Sequence, residues 1–242
     1  MRSTRRSQAS PAKAGAMCGR FALTLPPAAV RAYFGYPEQP NFPPRYNIAP
    51  TQPVAVVRWE MGQRHFALMR WGFLPGFVKD MKTFPLLLNA RAEGIEDKPS
   101  FRAAIRRRRC LFIADGFYEW RREGKAKQPF LIRRPNRGPL ALAGLWETWS
   151  SPDGSEVDTA CIITCGPNGL MAAVHDRMPV ILEPHDFALW LDPFAESRDV
   201  LPLMRPAKDD ILELVPISDR VNKAAYDRAD VQDPARLAHD VM

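Results

Sequence analysis

The stretch Cys110-Leu111-Phe112-Ile113-Ala114-Asp115-Gly116-Phe117-Tyr118-Glu119-Trp120 decides what kind of fold this chain builds. Five consecutive apolar residues with no polar alternation read as a strand buried on both faces, and Asp-Gly marks the turn that ends it. Beyond the turn, Glu119 stands between two aromatic residues. Taken alone, it reads as a residue alternating with Tyr118 and Trp120 on an exposed strand face; held between their rings, a carboxyl is a group suited to shuttling a proton.

Outward from this stretch the pattern is one of short strands. Residues 54–59 and 65–71 are β-rich runs joined around Met61-Gly62-Gln63, a hairpin, and 86–89 is a further short apolar strand. Downstream, a polar hairpin at 121–128 leads to strands at 129–133, 140–149 and 158–165, with shorter ones at 180–182 and 214–217. Helical spacing is confined to 26–34, 100–109, 169–174, 184–191 and 209–213. Ser100 is placed to cap the second of these, whose last turn is Arg106-Arg107-Arg108-Arg109; cations suit a helix C-terminus, so a solvated end is the default reading and a phosphate contact the other. The proline-rich segment 36–53 reads as loop, and the charged chain beyond Asn222 as a surface covering. Many short strands with few, unalternated helices argue for an α+β fold.

Composition narrows the setting. The chain has 242 residues, 46% of them hydrophobic, and no apolar run of the roughly 18 residues a membrane helix requires. Its four cysteines, Cys18, Cys110, Cys161 and Cys165, form no CxxC pair or dense disulfide pattern, which fits a reducing compartment. Cys161 and Cys165 share one face of a strand and read as buried thiols. Of the formal charge of +7, four units come from Arg2, Arg5, Arg6 and Lys13, leaving +3 for the remainder. A modest basic excess is compatible with a polyanion such as DNA without demanding one.

Residues 1–17 are basic, acid-free and lack a secretory apolar region, so they read as an upstream mis-start or a removable leader. Their removal places Cys18 of Met17-Cys18-Gly19-Arg20-Phe21 at the chain start. One residue then carries an α-amine with a pKa of about 7.7–8.0 and a thiol near 8.5. Such a 1,2-aminothiol condenses with an aldehyde to a Schiff base, and the thiol closes a thiazolidine on the same carbon with little further entropy cost. The plainer reading of the pentapeptide makes Cys18 one more buried cysteine.

Three other polar clusters punctuate apolar strands: Asn89-Ala90-Arg91, Glu119 itself, and His175-Asp176-Arg177. Each sits near a strand end or turn, where a rigid sheet commonly mounts functional groups. Each also has a plain alternative: Asn89 and Arg91 tie down a turn, and His175 is a core or capping histidine satisfied by Asp176.

The motifs Met-Cys-Gly-Arg-Phe at 17–21, Arg-Tyr-Asn-Ile-Ala-Pro at 45–50, Trp-Gly-Phe-Leu-Pro at 71–75, Asn-Ala-Arg-Ala-Glu at 89–93, Ala-Asp-Gly-Phe-Tyr-Glu-Trp at 114–120 and His-Asp-Arg-Met-Pro at 175–179 occur in this order. Together they resemble the SOS-response-associated peptidase (SRAP) family, which includes proteins that shield abasic sites. The resemblance implies one mixed, partly barrel-like α+β domain with peripheral helices over residues 18–225, followed by a tail at 226–242. It implies binding to single-stranded DNA and its junctions with duplex, and a thiazolidine crosslink between Cys18 and the opened sugar of an abasic site. Carried over by motif, Cys18 is the nucleophile, Asn89 orients it and the sugar, and Glu119 and His175 handle protons. Arg91 and Arg20 contact phosphate, Thr164 lines the pocket, and Asn47 joins the DNA-binding set. The aromatic loop with Trp71, Phe73 and Phe77 is suited to stacking on bases, a core hairpin being the equal alternative for Trp71; where some relatives place paired tryptophans late in this loop, this chain has Phe77-Val78. Self-processing by Cys18, Glu119 and His175 would expose the amine. The resemblance implies no cofactor or metal, a monomer, and a bacterial cytoplasmic setting. The rival classes are a cysteine peptidase acting on other proteins and a non-covalent reader of damaged DNA. The first needs no free amine; the second survives loss of the thiol.

Overall fold

The structure, a computed structural model, describes residues 19–124 and 126–235; the expected leader at 1–17, Cys18, Lys125 and residues 236–242 lie outside the described residues. In chain order the strands are β1 (Phe21–Leu23), β2 (Arg45–Ile48), β3 (Pro53–Glu60), β4 (Gln63–Trp71), β5 (Asn89–Arg91), β6 (Arg109–Ala114) and β7 (Gly116–Glu123). They continue as β8 (Ala126–Arg133), β9 (Leu140–Ser150), β10 (Glu156–Cys165), β11 (Met178–Pro179), β12 (Ile181–Leu182) and β13 (Glu213–Pro216). Short helices α1 (Pro27–Phe34), α2 (Arg102–Arg107), α3 (Gly169–Ala172), α4 (Phe187–Leu191) and α5 (Ser197–Val200) lie around them. The class is α+β, as the scarcity of helices predicts.

Five strands close on themselves. β4 pairs antiparallel with β3, β3 with β6, β6 with β9 and β9 with β10. β10 then returns parallel to β4 through Thr159↔Arg70 and Ala160↔Trp71. Closure leaves these strands without long free edges, which explains why β6 carries no polar side chain between Cys110 and Ala114: all six of its residues are buried. In the ladder Gly144 of β9 faces Cys110. A Cβ at Gly144 would stand 2.6 Å from the Phe112 ring, so glycine is what lets the two strands approach over that side chain.

The second sheet is open, in the order β13-β8-β7-β1-β2. Only Asp115 separates β6 from β7, so the chain leaves the barrel and enters this sheet within one residue. Asp115, 8% exposed, holds the crossing in place: its Oδ2 accepts from the Thr24 N–H at 2.5 Å, the Thr24 hydroxyl at 2.8 Å and the Leu25 N–H at 2.9 Å. Burial nevertheless keeps its carboxyl above the usual range.

Four expectations change. The proline-rich segment contains β2, because Arg45–Ile48 is the proline-free interval between Pro44 and Pro50 and pairs with β1. Helix α2 starts after Phe101 without a side-chain cap, so Ser100 is not its N-cap. Arg109 belongs to β6 and is 3% exposed. Its guanidinium donates to the carbonyls of Ile105, Arg106, Trp190, Asp192 and Ala195, supplying donors that the ends of α2 and α4 lack. Arg108 pairs with Glu147 at 2.6 Å, which leaves Arg106 and Arg107 as the exposed part of the basic run. Finally, the chain beyond 222 is packed into the second sheet: Val231 is fully buried. The Gln232 amide donates to the Tyr118 hydroxyl at 3.1 Å.

Candidate active site

The strand β5 pairs parallel with the C-terminal half of β10, matching Asn89 to Ile162 and Arg91 to Thr164. Alternation buries Ala90 completely and turns Asn89 and Arg91 to the opposite face. Arg91 is exposed, and among the described residues no hydrogen bond or ion pair holds its guanidinium. Thr164 is fully buried; its hydroxyl donates to the Ala90 carbonyl at 3.4 Å. It therefore supports the floor of the site.

The His175 loop is fastened to this floor by Arg177. Its guanidinium donates to both Glu93 carboxylate oxygens, at 2.9 and 2.8 Å, and to the Thr164 carbonyl at 2.6 Å. The forked contact draws the Glu93 carboxyl below its ordinary range. Both residues stood within recognised motifs, yet no sequence signal paired them, because the partners are 84 positions apart.

The His175 ring is 23% exposed, and burial is the main cause holding its pKa below the ordinary value, with Asp176 opposing. Nδ1 accepts from the Arg177 N–H at 3.1 Å and lies 2.9 Å from Asp176 Oδ1. These contacts belong to different protonation states. The neutral ring uses the Nδ1 lone pair for Arg177 and carries its proton on Nε2; the imidazolium donates Nδ1–H to Asp176.

Glu119 is 3% exposed on β7, paired with Phe130 of β8. Across the other edge, β1 matches Phe21 to Phe117 and Ala22 to Gly116, and the Tyr118 N–H donates to the Arg20 carbonyl at 3.0 Å. The same register carried one step further sets residue 19 beside Glu119. The Arg122 charge, three residues along β7, adds a small lowering contribution to the His175 pKa.

The expected DNA-binding residues divide sharply. Phe77 is 60% exposed and leans edge-on against Phe84, with ring centroids 6.2 Å apart. Trp71 is fully buried, with its indole N–H on the Leu88 carbonyl at 3.1 Å and its ring edge-on to Phe21 at 5.1 Å. It is a core residue where it stands, not a platform for a base. Asn47 is likewise fully buried, and its amide donates to the carbonyls of Val221, Lys223 and Tyr226 at 3.2, 3.0 and 3.0 Å. Arg20 points its guanidinium at Asn47 Oδ1 (2.9 Å) and at the carbonyls of Val221 (2.7 Å) and Asn222 (3.4 Å), so its donors face protein. Cys18 lies outside the described residues. Among the described residues no cluster of three or more His, Cys, Asp or Glu could hold a metal ion.

Known proteins resemble this chain in sequence and in fold. The "Abasic site processing protein YoqW" of Bacillus subtilis is 37% identical over 211 residues, covering 85% of this chain and 94% of that protein. The "Abasic site processing protein HMCES" of Xenopus tropicalis is 30% identical over 255 residues, covering 86% of this chain and 75% of its own. A crystal structure of a Bacteroides thetaiotaomicron protein, 24% identical, superposes with a TM-score of 0.82 over 90% of this chain and 100% of that one, a likeness of fold. Residues 17–224 match the family described as SOS response associated peptidase (SRAP), and the chain belongs to that family.

Proposed function

We propose that this protein processes abasic sites in single-stranded DNA by forming a thiazolidine with the opened sugar through the α-amine and thiol of Cys18, once residues 1–17 are removed. The carrying observation is the register of β1 on β7, which runs residues 20–22, just after Cys18 in sequence, along the strand that holds the buried Glu119.

Glu119 takes a proton from the Cys18 ammonium, freeing the amine to attack C1′ of the sugar aldehyde. His175 donates a proton to the ring oxygen as the sugar opens. The carbinolamine loses water to give the Schiff base. The thiol then adds to the same carbon while its proton passes to nitrogen, so one water leaves for each adduct. Asn89 orients the amine and sugar, Arg91 takes the neighbouring phosphate with its free fork, and Phe77 stacks on a base. The same cysteine, carboxyl and histidine are suited to cutting after Met17, the peptidase step implied by the family name.

Mature wild-type protein mixed with an abasic oligonucleotide is expected to give a heat-stable adduct on a denaturing gel, absent in Cys18→Ala and absent when the α-amine is acylated. A wild-type protein that yields no adduct overturns the proposal. Turnover of unrelated peptides without need of a free amine would favour the cysteine-peptidase class, and binding indifferent to Cys18→Ser with nothing covalent would favour a non-covalent reader.

A further inference from the structure

We propose that residues 219–232 form a clasp that sets the start of the chain against β7, and that Arg20, Asn47 and Asn222 are positioning residues for Cys18 and Glu119 rather than contacts to DNA. The rate arm of the test rests on the crosslink reading above.

The clasp meets the site at two places. Arg20, two residues after Cys18, donates to the carbonyls of Val221 and Asn222. Trp120, adjacent to Glu119, donates its indole N–H to Asn222 Oδ1 at 2.8 Å. One segment therefore grips a neighbour of the proposed nucleophile and a neighbour of the proposed base. Asn47 locks the grip from beneath: Oδ1 accepts from Arg20 while its amide serves three carbonyls of the clasp, which leaves that side chain nothing for a phosphate.

The motif at 45–50 acquires a purpose from this. The Asp227 carboxylate accepts from the Tyr46 N–H at 2.5 Å, the Asn47 N–H at 3.0 Å and Arg45 Nε at 2.6 Å. The Tyr46 carbonyl accepts from the Tyr118 hydroxyl at 2.5 Å, and that hydroxyl accepts from Gln232. Arg45, Tyr46 and Asn47 all bind the clasp or the strand it braces. Arg20 meets carbonyls and an amide oxygen here, and burial lowers its pKa. The guanidinium is half-buried, and these bonds commit it to protein acceptors.

The test uses mature protein carrying Asn222→Ala or Arg20→Gln. Three quantities are measured: affinity, with its salt dependence, for single-stranded DNA bearing an unreactive tetrahydrofuran abasic analogue; the single-turnover rate of adduct formation at saturating abasic DNA; and amide exchange across residues 19–23. Both variants are expected to keep affinity within about twofold with an unchanged salt slope, and to lose about tenfold or more in rate, since displacements near 1 Å carry such costs. Exchange at 19–23 accelerates in both. A salt slope that falls by about 0.7 in Arg20→Gln makes Arg20 a phosphate contact and overturns the proposal. Unchanged rate and exchange in Asn222→Ala overturn it as well. If Arg20→Gln does not fold, Asn222→Ala decides alone. If wild-type protein forms no adduct, the crosslink reading falls while the exchange arm still decides the clasp.

Discussion

The closed barrel and the open second sheet of this molecule are held together by different forces. In the barrel, β6 and its neighbours interlock through side chains such as Phe112, which is fully buried and packs under the backbone of Gly144. The open sheet bears Glu119, and its free edge is secured by polar groups reaching across much of the chain: Arg20 to Val221 spans 201 positions and Arg45 to Asp227 spans 182. Apolar packing is non-directional and tolerates small displacements. Hydrogen bonds fix direction, which is what the proposed chemistry of an amine and a carboxyl would require.

The contrast can be broken most forcefully in the barrel. Phe112→Ala removes a ring from a site with no room to collapse and is expected to cost about 3–5 kcal/mol, read as a drop in urea midpoint at constant m-value. A loss under 1 kcal/mol would mean the barrel is not the stabilising unit. On the open sheet, Asp227→Asn keeps the shape but weakens bonds to one guanidinium and two N–H groups, and a smaller loss of about 1.5–3 kcal/mol is expected. A loss equal to that of Phe112→Ala would erase the distinction.

Substitutions on the working face leave stability alone. Arg91→Ala is expected to keep the thermal midpoint within about a degree and to lower the salt slope for single-stranded DNA by about 0.7. An unchanged slope removes Arg91 from the phosphate contacts. The finest distinction is in pH. Because burial lowers the His175 pKa, the imidazolium is populated only below the ordinary histidine range of about 6.5. The difference in adduct rate between wild type and His175→Gln is expected to grow as pH falls, with its midpoint below 6.5. Linkage gives the matching sign for stability: the unfolded ring takes up its proton first as pH drops, so the buried neutral ring supports the fold above about pH 6.5 and loses that support as pH falls toward the folded pKa. A midpoint above 6.5 would mean that burial does not set the His175 pKa at the site, and a rate difference that does not vary with pH would sink the assignment of His175 as acid.

What was legible in the sequence followed from local chemistry. Unalternated apolar residues at 110–114 and punctuated β-rich runs gave the strands, and the scarcity of helical spacing gave the α+β class. Asn89 and Arg91 were readable as a polar cluster at a strand end, but only the structure extends the strand through Arg91 and turns both to one face. The role of Arg109 was not readable, since its five carbonyl partners lie at the ends of two helices. Trp71 at the end of its strand was open between core and base stacking, and the structure seals it beneath Phe21 while Phe77 stands 60% exposed.

By itself the sequence determined which residues could react and which runs had to be buried, because those properties reside in side chains and their spacing. Only the tertiary structure decided that Arg20 and Asn47 bind the C-terminal segment and that Arg177 joins Glu93 to the histidine loop. Such bonds depend on where distant segments meet, and that is set by how the whole chain excludes water from its apolar surface.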